Sequence, residues 1–233
     1  MTKNIPILLI PGLGTSPRTY SNILPQLWQH GHVTIANQTH DDSMEAMAKC
    51  ILTAAPPSFA LIGHSMGGYV AFEIMRQAPE RVLKLALMNT SARPDGDEAK
   101  EKRKAQIEKA KHGMFAEIIE GALPAFLHTQ NKDDENLRRI ITDAHNDAGA
   151  DAYIRQQMAI MGRPDSRPDL ENIKVPTLVI TGSDDKLIPL EPSQEIVSAI
   201  TGAELVVIQN AGHMAALEQP EEVSKVLADW LAK

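Results

Sequence analysis

The residues best suited to chemistry gather around Ser65, in the run Gly63-His64-Ser65-Met66-Gly67. A short apolar segment, Phe59 to Ile62, enters this turn, and a helix-forming stretch leaves it. Strand, tight turn and helix in that order hold a serine in a cramped backbone, with its hydroxyl projecting from the sheet edge. Gly63 and Gly67 flank the serine because side chains there would collide where strand and helix approach closely. The helix start behind Ser65 adds free N–H groups and a partial positive charge, useful where an oxyanion must form. The competing reading is an ordinary glycine-rich strand-to-helix turn. The apolar strand and the amphipathic helix that flank the motif are the context a nucleophile elbow requires, and they favour a nucleophilic serine. A phosphate-binding reading of Gly63 to Gly68 fails, because the lysine and hydroxyl of a phosphate loop do not follow its last glycine.

A serine nucleophile needs a base, and the base needs an orienting carboxylate. Eight histidines compete for the first role. His30 and His32 flank a helix end, His40 lies in a loop after the second strand, and His112, His128 and His145 fall in a helical insertion. His64 belongs to the elbow itself, and its side chain points away from its neighbour. His213 is left, in Asn210-Ala-Gly-His213 just past the last strand, with Gly212 giving the loop freedom to turn back over the sheet. The carboxylate should follow a neighbouring strand, where the segment Thr181 to Pro189 offers both Asp184 and Asp185.

Serine, acid and histidine in that chain order resemble the alpha/beta-hydrolase superfamily. Gly182-x-x-Asp185-x-x-x-Pro189 is similar to that family's acid loop, and Asn210-Ala-Gly-His213, followed by Glu218-Gln-Pro-Glu221, to its histidine loop and last helix. The resemblance spans both parts of the core and implies Asp185 as the triad acid, which leaves Asp184 to cap the turn or face water. It also implies two backbone oxyanion donors: the N–H of Met66, and that of Leu13 in the loop Pro11-Gly12-Leu13 after the first strand. Two departures stand out. Pro11 occupies a place where the family commonly has histidine, and the family's N-terminal antiparallel hairpin has no room before Ile5.

What the resemblance implies is a serine hydrolase that cleaves an ester-like bond, carboxylic ester or lactone, of a small molecule through an acyl-enzyme. No metal and no organic cofactor is required. Small carboxylesterases and enol-lactonases have a similarly short insertion. A carbon–carbon bond hydrolase, a thioesterase or acyltransferase, or a perhydrolase would use the same triad. A haloalkane dehalogenase would carry aspartate where Ser65 stands, and a receptor without turnover would need none of the three residues.

The elements that must position these residues alternate between strand and helix. Ile5 to Ile10, Val33 to Ala36, Phe59 to Ile62, Val82 to Met88, Val175 to Ile180 and Leu205 to Ile208 read as strands. Tyr20, Ile23, Leu24, Leu27 and Trp28 mark one face of a helix closed by Gly31, and Asp42 to Glu45 caps a helix over Met44 to Ala54. The expected fold is therefore α/β, a mostly parallel, doubly wound sheet of about six strands. Segments 1–93 and 168–233 form the core, and 94–167 a helical lid. In the lid, the charged stretch Glu98 to Lys111 is read as a solvated face, and Phe126, Tyr153 and Met158 as pocket-lining side chains. Arg18, Arg93 and Arg163 fall near the expected rim, but no guanidinium stands at a strand end to argue for an anionic substrate. The strand Val33 to Ala36 is expected at a sheet edge, open to pairing with another chain; the oligomeric state is left open.

Length and composition agree with this reading. The 233 residues suit one folding unit, and the 43% apolar and 23% charged contents are those of a globular protein. A net charge of −7 argues against a nucleic-acid surface. The single cysteine, Cys50, excludes an internal disulfide, suits a reducing cytoplasm and is read as a packing residue. The Ile5 to Ile10 run, interrupted by Pro6, is too short for a signal peptide or membrane span. A small-molecule substrate in the cytoplasm, with no nucleic-acid or membrane partner, is the expectation.

Overall fold

All strand pairings in the computed structural model, which describes residues 4–233, are parallel. In chain order the elements begin with β1 (Ile7–Ile10), α1 (Leu24–Leu27), β2 (Val33–Ile35), α2 (Met44–Ala54), β3 (Phe59–His64), α3 (Met66–Gln77) and β4 (Val82–Met88). Four helices follow: α4 (Asp97–Lys111), α5 (Phe115–Phe126), α6 (Glu135–Ala148) and α7 (Ala150–Met161). The chain then returns to the sheet through β5 (Thr177–Gly182), α8 (Leu190–Ala199), β6 (Glu204–Ile208), α9 (Ala215–Glu218) and α10 (Pro220–Ala232).

The sheet order β2-β1-β3-β4-β5-β6 reverses the direction of winding between β1 and β3. Such a reversal opens a crevice beyond the carboxyl ends of the two strands. Ile10 pairs with Gly63 across it, which sets the loop after β1 beside the turn after β3. Both faces of the sheet are covered, so β1 and β3 are buried along their whole lengths. Leu8 and Ile10 pack with Met47, Ile51, Val70 and Ile74 of α2 and α3, whereas Ile7 and Leu9 pack with Tyr20, Leu27, Leu227 and Trp230 beneath α1 and α10.

Several local expectations are revised. The helix foreseen from Tyr20 to Trp28 is broken into a 3-10 turn, Pro17–Tyr20, and the single turn α1, because Pro25 starts a helix and cannot continue one. Trp28 is consequently 60% exposed, not on the buried face. Gly31 is required by close approach, since a Cβ there would lie 2.0 Å from the Ile5 carbonyl oxygen. β5 starts at Thr177, after Pro176, which has no N–H to donate to a ladder. Cys50 lies on the exposed side of α2, away from the buried Met47 and Ile51.

Helices α4 to α7 lie between β4 and β5 in the chain and pack against the core. Leu123, Leu127 and Ile141 pack there against Met214 and Leu217 of the core. Asp184, with its side chain 33% exposed, also joins the two parts: it accepts from the N–H and hydroxyl of Thr129 at 2.9 and 2.7 Å. Only Ile107 and Ala110 of the charged α4 are buried. Among the described residues no helix is long and apolar enough to cross a membrane.

Candidate active site

Ser65 occupies the left-handed side of the backbone map, at φ 53° and ψ −117°. That conformation costs a non-glycine residue about 1–3 kcal/mol and persists only where the surroundings impose it. Here the Ser65 N–H donates to the Met88 carbonyl at 2.9 Å, and the Thr90 hydroxyl donates to the Ser65 carbonyl at 2.8 Å. The glycines allow the close contact: a Cβ on Gly67 would lie 2.1 Å from the Ile10 carbonyl oxygen.

From the loops after β5 and β6 come the other two members of a hydrogen-bonded chain. His213 Nε2 lies 2.8 Å from Ser65 Oγ, and His213 Nδ1 lies 2.8 Å from Asp185 Oδ2. The carboxylate can only accept, so Nδ1 carries the proton and Nε2 is free to receive that of Ser65. Asp185 also accepts from the N–H groups of Leu187 and Ile188, both at 2.9 Å, and from Asn89 Nδ2 at 2.8 Å. Burial opposes ionisation of Asp185, but its interactions with His213, Ile188 and Asn89 outweigh burial and hold the carboxyl below the usual range. Gly212 serves the histidine loop differently from the expectation. A Cβ there would lie 2.6 Å from the His128 nitrogen, so the glycine admits the backbone of the helical insertion.

Three supporting side chains were not foreseen. His64 is buried and bridges Tyr20 and the main chain of His213, with both contacts at 3.0 Å. The His213 carbonyl requires a donor, so His64 Nε2 carries the proton and Nδ1 accepts from the Tyr20 hydroxyl. Burial, reinforced by the neighbouring His213, lowers the His64 pKa to about 4. Asn89, at φ 48° just past β4, directs its amide to Asp185 and to the Gly212 carbonyl. Its only sequence signal is an asparagine at a strand end, a residue that tolerates this backbone region. His145 of α6 stacks on Phe126 with ring centroids 5.7 Å apart, and Phe126 lies 6.4 Å from the His213 ring.

The triad opens into a cavity of about 420 Å³. Leu13 and Met66 line it beside Ser65, and among the described residues neither backbone N–H has a protein acceptor. Phe126 and Tyr153 also line it, together with His145. Met158 does not, and is corrected: Tyr153, Gln157 and Ile160 face the cavity at helical spacing, which turns Met158 outward to 45% exposure. Arg93 and Arg163 reach the wall, each paired with carboxylates: Glu191 and Glu195 for Arg93, Asp95 for Arg163. Arg18 lies outside the cavity and pairs with Asp147.

Known proteins carry the same architecture. An esterase from Thermogutta terrifontis, solved with malate bound, superposes with a TM-score of 0.89 and 27% identity, covering 98% of this chain and 91% of that one. The enol-lactonase from Burkholderia xenovorans shares the fold with a TM-score of 0.87 at 24% identity, covering 99% of this chain and 92% of that one. In sequence, the chain is 24% identical to a pimeloyl-[acyl-carrier protein] methyl ester esterase of Aromatoleum aromaticum, over 96% of each. The alpha/beta hydrolase family profile matches residues 7–226. With that match running from the first strand into the last helix, this chain belongs to the alpha/beta hydrolase family.

Proposed function

We propose that this alpha/beta hydrolase cleaves a carboxylic ester or lactone of a small molecule through an acyl-enzyme on Ser65. The observation that carries the reading is the unbroken chain Ser65 Oγ, His213 and Asp185, with both links at 2.8 Å. His213 Nε2 takes the Ser65 proton as Oγ attacks the carbonyl carbon. Asp185 keeps the imidazole in the required tautomer and stabilises the imidazolium that forms. The N–H groups of Leu13 and Met66 receive the developing oxyanion, each worth on the order of 3 kcal/mol in comparable sites. His213 then protonates the departing alkoxide, and water, deprotonated by the same imidazole, releases the acid.

Relatives named as esterases support the ester bond as the target, and the cavity volume suits a small molecule. Residues 94–167 act in this reading as a lid, because α4, α5, α6 and α7 all contribute side chains to the cavity wall. A panel of p-nitrophenyl esters, lactones and acyl-thioesters tests it: esters or lactones should turn over fastest, and turnover of thioesters alone would overturn the assignment.

A further inference from the structure

The part of the cavity wall built by α4, α7 and the segments beside them is polar and holds the charged side chains. Four formally charged side chains line the cavity among the described residues: Arg93, Asp95, Arg103 and Arg163. Glu191 and Glu195 neutralise Arg93 from outside the cavity. Asp95 alone faces both other guanidiniums, and pairs with each. With Glu191 and Glu195 counted, three guanidiniums meet three carboxylates, but within the wall shared with Ser65 the pair Arg103 and Arg163 has only Asp95 between them.

The two guanidiniums differ in what they have left to offer. Arg163 is nearly consumed by structure: it donates to the carbonyls of Arg93 and Ile160, pairs with Asp95 and lies 4.2 Å from the Tyr69 ring centroid. Arg103 donates to Asp95 through Nε and Nη2 and to Gln157 Oε1 through Nη1. A guanidinium has five N–H groups, so two remain undirected. Beside it, Gln106 accepts through Oε1 from Gln157 and from the Tyr153 hydroxyl. Its Nε2 amide group has no protein acceptor among the described residues. The α4–α7 wall thus offers donors from a cation and an amide, in a neighbourhood where Asp95 is held ionised and cannot donate. A clamp meant only to join α4 to α7 would have its donors saturated. This one does not.

We propose that Arg103 and Gln106 form a subsite for a carboxylate carried by the substrate at the end remote from the reacting carbonyl. The inference rests on the ester-hydrolase reading of the Ser65 site, and it narrows the substrate class to half-esters of dicarboxylic acids, or lactones bearing a free carboxylate. Asp95 orients Arg103 and tempers its charge, and is the one carboxylate that Arg103 shares with Arg163 in that wall.

The experiment compares kcat/KM for half-methyl and dimethyl esters of the straight-chain dicarboxylic acids from succinate to suberate, in wild type, Arg103→Gln and Asp95→Asn. At the best chain length, wild type should favour the half-ester by about tenfold or more. Arg103→Gln should abolish that ratio, and Asp95→Asn should increase it. A disrupted lid would move both variants the same way, so opposite shifts carry the proposal. No half-ester preference at any length, or parallel shifts in the two variants, would overturn it. If wild type hydrolyses neither ester class, the ester-hydrolase reading fails separately. Calorimetric titration of free dicarboxylates then decides the subsite: affinity weakened about tenfold in Arg103→Gln supports it, and equal affinity refutes it.

Discussion

His64 donates its Nε2–H to the main-chain carbonyl of His213 at 3.0 Å, so the residue before the nucleophile holds the backbone of the base. Tyr20 fixes the other side of the same ring. The elbow thereby sets the position of two triad members at once.

His64→Phe should keep most of the packing and lose both hydrogen bonds. We expect kcat to fall by roughly tenfold to a hundredfold with KM nearly unchanged, in line with the loss of supporting hydrogen bonds elsewhere. His64→Gln, which can still donate to the His213 carbonyl, should recover part of kcat. Equal losses in both variants, or a change confined to KM, would show that His64 only fills space.

The same ring predicts a pH dependence of stability. Its pKa falls from about 6.5 unfolded to about 4 folded. The folded state binds fewer protons between those values, so stability declines as pH drops from about 6.5 toward 4, by up to on the order of 3 kcal/mol. Chemical denaturation of His64→Phe across that range should show a flatter profile than wild type; identical slopes would contradict the assignment.

Asp185→Asn should preserve the shape of the site and lower kcat by about three to four orders of magnitude, because an amide cannot hold Nδ1 in the protonated tautomer as the carboxylate does. Ionised Asp185 stabilises the fold above the usual carboxylate pKa, and that contribution is lost as pH falls through its depressed folded value. The difference in melting temperature between wild type and Asp185→Asn should therefore shift steadily below about pH 4. A pH-independent difference would count against an ionised Asp185.

Gly67→Ala places a Cβ 2.1 Å from the Ile10 carbonyl oxygen, a backbone atom that cannot yield cheaply. Destabilisation on the order of 3 kcal/mol is expected from such overpacking. Urea unfolding checks it, and a variant as stable as wild type would contradict the close approach of elbow and first strand.

The sheet and the meeting of Ser65, His213 and Asp185 are legible because each rests on a strong local signal. β3 is a continuous apolar run into Gly63-His-Ser65-Met-Gly67, and two more strands end in loops that carry Asp185 and His213. Asp185 was separated from Asp184 by family resemblance, and geometry gives the two different partners, His213 and Thr129. What escaped the sequence depends on contacts between distant segments. Asn89 meets Asp185 only after β4 and β5 pair, and His145 reaches the cavity only after α6 folds over Phe126. Apolar character alone places Met158 in the pocket, but helical phase turns it outward, and Pro25 interrupts the helix that would bury Trp28. Arg103 belongs to a stretch whose composition marks a solvated face, and its partner Gln157 sits on another helix.

The most direct test treats wild type and Ser65→Ala with a fluorophosphonate and follows intact mass alongside ester hydrolysis. A single adduct mapped to Ser65, with activity lost in step and neither adduct nor turnover in Ser65→Ala, is the predicted result. Hydrolysis by Ser65→Ala near the wild-type rate, or labelling at another residue, would contradict the account.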